Sequence, residues 1–151
     1  MAEQLVITEA GATQLLEVAE QGPPGPPGPA GAAGSSVVQA IAAVALSGHV
    51  VVAYNTAGQL VPASAAELLH ALRVAGITVA AAVLGASVAV QQREALEHAG
   101  WAWVPGQPVF LGLGGALVQT PAPGAVFMML IGQALTATRL LVNPQPALIL
   151  T

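Results

Sequence analysis

Residues 49–62 read HVVVAYNTAGQLVP, a valine-rich apolar run, a break at Asn55-Thr56-Ala57-Gly58, and a second short run that stops at a proline. β-Branched residues favour extended chain, and Asn and Gly tolerate the positive φ of a tight hairpin, so the stretch reads as strand, turn, strand. The rest of the chain beyond residue 36 has the same texture of short apolar runs punctuated by glycine and proline. That texture is all-β. Candidate strands cover residues 37–45, 49–55, 59–62, 72–80, 87–92, 108–113, 116–119, 125–135, 139–143 and 147–150. A second hairpin-like break falls at Gly112-Leu113-Gly114-Gly115, residues 65–72 (AAELLHAL) have the spacing of a helical turn or two, and residues 10–20 fit either a helix or a strand.

The hairpin has a counterpart downstream. Gly48, Gly58 and Gly76 recur as Gly106, Gly115 and Gly132, at offsets of 58, 57 and 56 residues, with similar apolar runs between them. Each unit would be an apolar strand, a glycine turn, a short strand ending near Pro62 or Pro121, and a longer strand through a buried glycine. Two such repeated halves would make a small β-sandwich or barrel over residues 37–151.

Upstream lies a different kind of sequence. Residues 22–36, GPPGPPGPAGAAGSS, are five consecutive Gly-X-Y triplets. Only glycine fits at the axis of a collagen triple helix, so Gly22, Gly25, Gly28, Gly31 and Gly34 at strict period three point to three parallel copies, a homotrimer. At roughly 3.1 Å per residue the stalk would span on the order of 45 Å. So short a triple helix is marginal alone, and the flanking segments would have to supply much of the trimer's stability. The alternative is a flexible Pro/Gly linker in a monomer. Residues 1–21 then form an N-terminal anchor segment, with Leu5, Val6, Ile7, Leu15, Leu16 and Val18 as its apolar contacts.

Composition agrees with assembly. Hydrophobic residues make up 55% of the 151, charged residues only 7%, with seven Glu, three Arg, and no Asp, Lys or Cys. A net charge of −4 with so few cations argues against nucleic acid or anionic lipid as a partner. The absence of cysteine removes disulfides, thiolate catalysis and thiolate-held metal. A monomer so poor in charge would expose large apolar patches, which burial against other copies would cover. Mean hydropathy is +0.74, and residues 74–92 form a charge-free stretch of about spanning length between Arg73 and Arg93. That stretch is mostly small residues, has no cationic flank that would give an orientation and has no aromatic belt, so no membrane partner is expected. The opening MAEQLVITEAG has no basic region, which points to synthesis in the cytoplasm rather than secretion.

Catalytic chemistry has little to work with. A Gly-Lys phosphate loop is impossible without lysine, and the bases reduce to His49, His70, His98 and the glutamates. Glu67-x-x-His70 and Glu94-x-x-Glu97-His98 would bring ligands to one face if helical, but a solvated turn is the simpler reading, and no metal, cofactor or catalytic residue is assigned. Trp101-x-Trp103 would share one face of a strand. Such a pair is more often a core or interface plug than an exposed ligand platform for a sugar.

Three blocks carry a resemblance: residues 100–112 (GWAWVPGQPVFLG), residues 115–121 (GALVQTP) and residues 130–143 (LIGQALTATRLLVN), with the 50–65 stretch VVVAYNTAGQLVPASA upstream. Their order resembles the C-terminal module of tailed-bacteriophage structural proteins, over most of residues 37–150. The resemblance implies a phage virion structural protein, non-enzymatic and homotrimeric, since collagen-like triplets commonly precede such modules in phage fibres. The group that the chain resembles includes head decoration or cement proteins, head fibres and tail-fibre tips alike; the small size favours a capsid decoration (head fibre or cement) protein on the virion surface, made in the host cytoplasm, whose partner is the major capsid protein. The alternative is a tail-fibre tip or receptor-binding adhesin. No functional site residues carry over, because the shared positions look like turn glycines and core residues.

Overall fold

A computed structural model describes residues 36–151 of the chain. The anchor segment, with Leu5, Val6, Ile7, Leu15, Leu16 and Val18, lies outside the described residues, as do the triplet glycines Gly22, Gly25, Gly28, Gly31 and Gly34.

The described residues form twelve short strands and one turn of 3₁₀ helix: β1 (Val37–Ile41), β2 (Val51–Tyr54), β3 (Leu60–Pro62), the 3₁₀ helix (Leu68–Leu72), β4 (Val74–Thr78), β5 (Ser87–Gln91), β6 (Glu94–Glu97), β7 (Pro108–Leu111), β8 (Leu117–Val118), β9 (Phe127–Met128), β10 (Leu130–Ala134), β11 (Arg139–Val142) and β12 (Leu148–Ile149). Two five-stranded sheets are ordered β1-β5-β4-β2-β3 and β6-β11-β10-β7-β8, and β12 pairs with β9. Every paired strand runs antiparallel to its neighbour.

The two sheets have one topology. Replacing β1, β2, β3, β4 and β5 by β6, β7, β8, β10 and β11 converts the first order into the second. The correspondence reaches single residues. In the first sheet Ala75 is extra, because Val52 pairs with Gly76 and Ala53 with Val74. In the second, Ile131 is extra, because Val109 pairs with Gly132 and Phe110 with Leu130. Gly76 and Gly132 sit beside these bulges where a Cβ would run into the carbonyl of Gln91 or of Leu141 on the adjoining strand. A side chain is excluded at both places, so the glycine recurs with the bulge. The carbonyl of each extra residue is satisfied differently: Gln92 Nε2 donates to Ala75 O at 3.0 Å, whereas Asn143 N donates to Ile131 O at 2.8 Å.

One pairing read from the sequence shifts by a residue. The partner of Gly106 is His49, not Gly48. Both have positive φ, 83° and 60°, and both donate their N–H across the sheet, Gly106 to Ala134 O at 2.7 Å and His49 to Thr78 O at 2.8 Å. The halves differ after β3 and β8, where the first has the 3₁₀ helix and the second has β9.

The expected strands are present, with two corrections. Residues 125–135 form two strands, β9 and β10, rather than one. Glu94 to Glu97 is a strand, β6, where the carboxylate spacing suggested a helical or loop turn. Only Leu96 is buried in it, between exposed glutamates at either end, and it lies at a sheet edge, where outward charges discourage further pairing. Glu97 stands opposite Arg139 in the register, a favourable cross-strand pair. Residues 74–92 supply β4 and β5, and among the described residues no helix is long and apolar enough to cross a membrane.

Two apolar clusters hold the fold. Ala42, Leu46, Val52, Leu60, Ala75, Val88 and Val90 fill the first half alone. The larger cluster joins both halves, with Val51, Ala53 and Ile77 from the first meeting Val109, Phe127, Ile131 and Leu140 from the second. Strand β2 therefore buries successive side chains in different clusters, which explains the unbroken apolar run that opened the reading. Ala42 bridges to Leu60, drawing the two edges of the first sheet together.

Candidate functional site

The sequence offered three histidines and two tryptophans as chemistry-bearing side chains, and the fold gathers four of the five. His49 precedes β2, and buried Thr78 secures its loop by donating Oγ1–H to Ser47 O at 2.8 Å and accepting from Val50 N–H at 3.1 Å. His98 follows β6, where its N–H donates to Thr138 O at 2.9 Å. The imidazoles stack with centroids 4.1 Å apart and planes 16° apart. Trp101 stands edge-on to both, at 5.6 Å from His49 and 5.5 Å from His98. Trp103 lies 5.4 Å beyond Trp101. A Cβ at residue 100 would press on His98 Nε2 at 3.0 Å, so Gly100 keeps room for the ring.

Neither tryptophan is on a strand; both occupy the irregular segment between β6 and β7. Both rings are half-buried and rest against the larger core cluster. Trp103 Nε1 is buried without an acceptor among the described residues. The segment is fastened at Val104, whose N–H and carbonyl both bond the amide of Gln119, at 2.9 and 3.0 Å.

His70 stands apart. Its Nδ1 accepts from Ser64 N–H at 2.9 Å, closing the turn into the 3₁₀ helix. Glu97 Oε2 accepts from Thr138 Oγ1 at 3.5 Å. Among the described residues no group of three or more His, Cys, Asp or Glu could hold a metal ion. Burial first, and then the charge of His98, hold the His49 imidazole below the ordinary histidine range. Trp101 covers one side of the stacked imidazoles, and no carboxylate or hydroxyl among the described residues bonds either ring to complete a nucleophile-base pair. Its geometry suits joining the two halves.

A second feature was not legible in the sequence. Leu68, Ala71, Leu72, Ala147 and Ile149 line an apolar groove between the 3₁₀ helix and β12. Leu72 is 96% exposed, and Leu69, Leu148 and Ile149 are also exposed. Consecutive leucines in AAELLHAL were the available signal, but helical spacing alone did not say that they would remain uncovered.

The chain matches no family model and no curated protein sequence.

Proposed function

We propose that this chain is a homotrimeric, non-enzymatic structural protein of a phage virion, a capsid decoration protein of the head-fibre or cement kind. Residues 1–21 dock on the major capsid protein, the triplets of residues 22–36 form a collagen-like stalk, and the β domain is carried outward on it. The observation that carries the reading is the exposed apolar surface of an all-β domain with almost no charge, in which Leu68, Leu69, Leu72, Leu148 and Ile149 lie uncovered on one protomer. Such a surface belongs to a subunit of an assembly. The period-three glycines supply the number of copies, and the motif order of residues 100–143 supplies the phage setting.

A tail-fibre tip or receptor-binding adhesin is the second reading. Its glycan platform would be Trp101 and Trp103. Both rings are half-buried against the core, which favours the capsid.

Co-sedimentation with purified capsids tests the assignment. The full chain should bind in a ratio fixed by the shell lattice, and a chain lacking residues 1–21 should stay folded and fail to bind. Capsid binding by the truncated chain would contradict the anchor. No binding by either would contradict the capsid assignment.

A further inference from the structure

We infer that the groove between the 3₁₀ helix Leu68–Leu72 and β12 is a contact between copies of this chain, covered by the next protomer around the threefold axis. The inference rests on the homotrimer reading and names the surface that would hold the β domains together.

The position of the groove carries the argument. The last triplet ends at Ser36, and β1 starts at Val37. Val37 pairs with Gln91, and Gln91 with Ile77, so the start of β1 and the end of β5 lie at one end of the first sheet. β4 runs antiparallel to β5, and its first residues, Val74 and Ala75, project beyond that same end. Gln92 ties these parts together, its N–H donating to Ser36 O at 2.6 Å and its Nε2 to Ala75 O at 3.0 Å. The 3₁₀ helix closes at Leu72, two residues before β4. With strands about 4.8 Å apart and about 3.4 Å per residue, the groove lies on the order of 15 Å from Ser36.

Three chains wound in one collagen helix are in mutual contact at its axis. Their Ser36 residues must adjoin, and each groove follows close behind. The opposite end of the sheet has its own exposed apolar residues, Val44, Val83 and Leu84, at the far end of β1 where Ala42 meets Gly85 and Ala86. Those lie at the end of the sheet opposite Ser36. A closed threefold ring uses a heterologous contact, so the groove meets a different face of the next copy rather than itself. Five triplets make a marginal triple helix, and apolar burial beside them supplies stability that they lack.

The test is sedimentation of the full chain across a dilution series, with Leu72→Glu and Ile149→Glu as separate variants and Leu84→Glu as the control. All three side chains are exposed in the protomer, so each substitution should leave the fold intact, as the near-ultraviolet signal of the tryptophans would verify. The expected result is a trimer whose dissociation concentration rises at least tenfold for Leu72→Glu and Ile149→Glu and stays unchanged for Leu84→Glu. A trimer unaffected by the first two, or equally weakened by the control, overturns the groove as the contact while leaving the trimer standing. A monomeric unsubstituted chain overturns the homotrimer itself. As a measurement without substitution, amides of residues 68–72 and 147–150 should gain hydrogen-exchange protection when the trimer forms; no gain would contradict the inference.

Discussion

The imidazole of His49, from the loop before β2, lies parallel to that of His98, from the end of β6, with 4.1 Å between centroids. Each ring belongs to a different half of the fold, so the junction between two similar sheets, largely apolar, also holds a pair of titratable rings.

That junction gives stability a pH dependence. His49 is held below the usual histidine value by burial and by His98, whereas in the unfolded chain it titrates near about 6.5. Below that value the unfolded state binds the proton more readily, so the stability contribution is complete above about pH 6.5 and declines as pH falls toward the folded value. Urea midpoints should drop between pH 7.5 and pH 5. His49→Asn, which keeps a residue tolerant of positive φ, should flatten the decline; an unchanged slope would mean that other groups dominate.

Thr78 should matter beyond its size. Thr78→Val keeps the shape but removes the hydroxyl that bonds Ser47 O and Val50 N–H, leaving both partners unpaired. A loss of about 1–3 kcal/mol is expected by chemical denaturation, together with a less depressed His49 titration by nuclear magnetic resonance. A His49 titration unchanged from that of the unsubstituted chain would disconnect the loop from the ring stack.

The bulge glycines should behave as a matched pair. Gly76→Ala and Gly132→Ala each place a methyl group against a neighbouring strand's carbonyl, and each should cost about 2 kcal/mol or more. Gly58→Ala has open space around it and a φ of 79°, so its cost should stay near about 1 kcal/mol. Equal losses at all three would remove the close approach as the reason for the glycines.

How much of this was legible follows from the kind of signal each feature leaves. Turn glycines and β-branched runs act locally, so 49–62 declared its hairpin, and the matched bulges kept Gly76 and Gly132 in register across the repeat. The one-residue error at Gly48 arose because His49 adopts a glycine-like φ of 60°, which its side chain does not advertise. β6 was missed because its glutamates mark an edge strand, and edge strands resemble solvated turns in composition. The ring stack joins residues 49 positions apart, and the groove depends on what stays uncovered. Neither leaves a local pattern.

The proposed stalk would have its own signature. Gly28→Ala puts three methyl groups at the axis of the proposed triple helix and should abolish its circular-dichroism band. The β domains should remain trimeric if the proposed groove contact holds them. Dissociation to monomers would make the triplets the main assembly element.

The proposed virion assignment is tested most directly by cryo-electron microscopy of virions labelled with an antibody against residues 36–151. The account expects threefold-shaped density standing off the head at regular lattice positions, with the antibody at its outer end. Label confined to the tail, or density of any other symmetry, would contradict it.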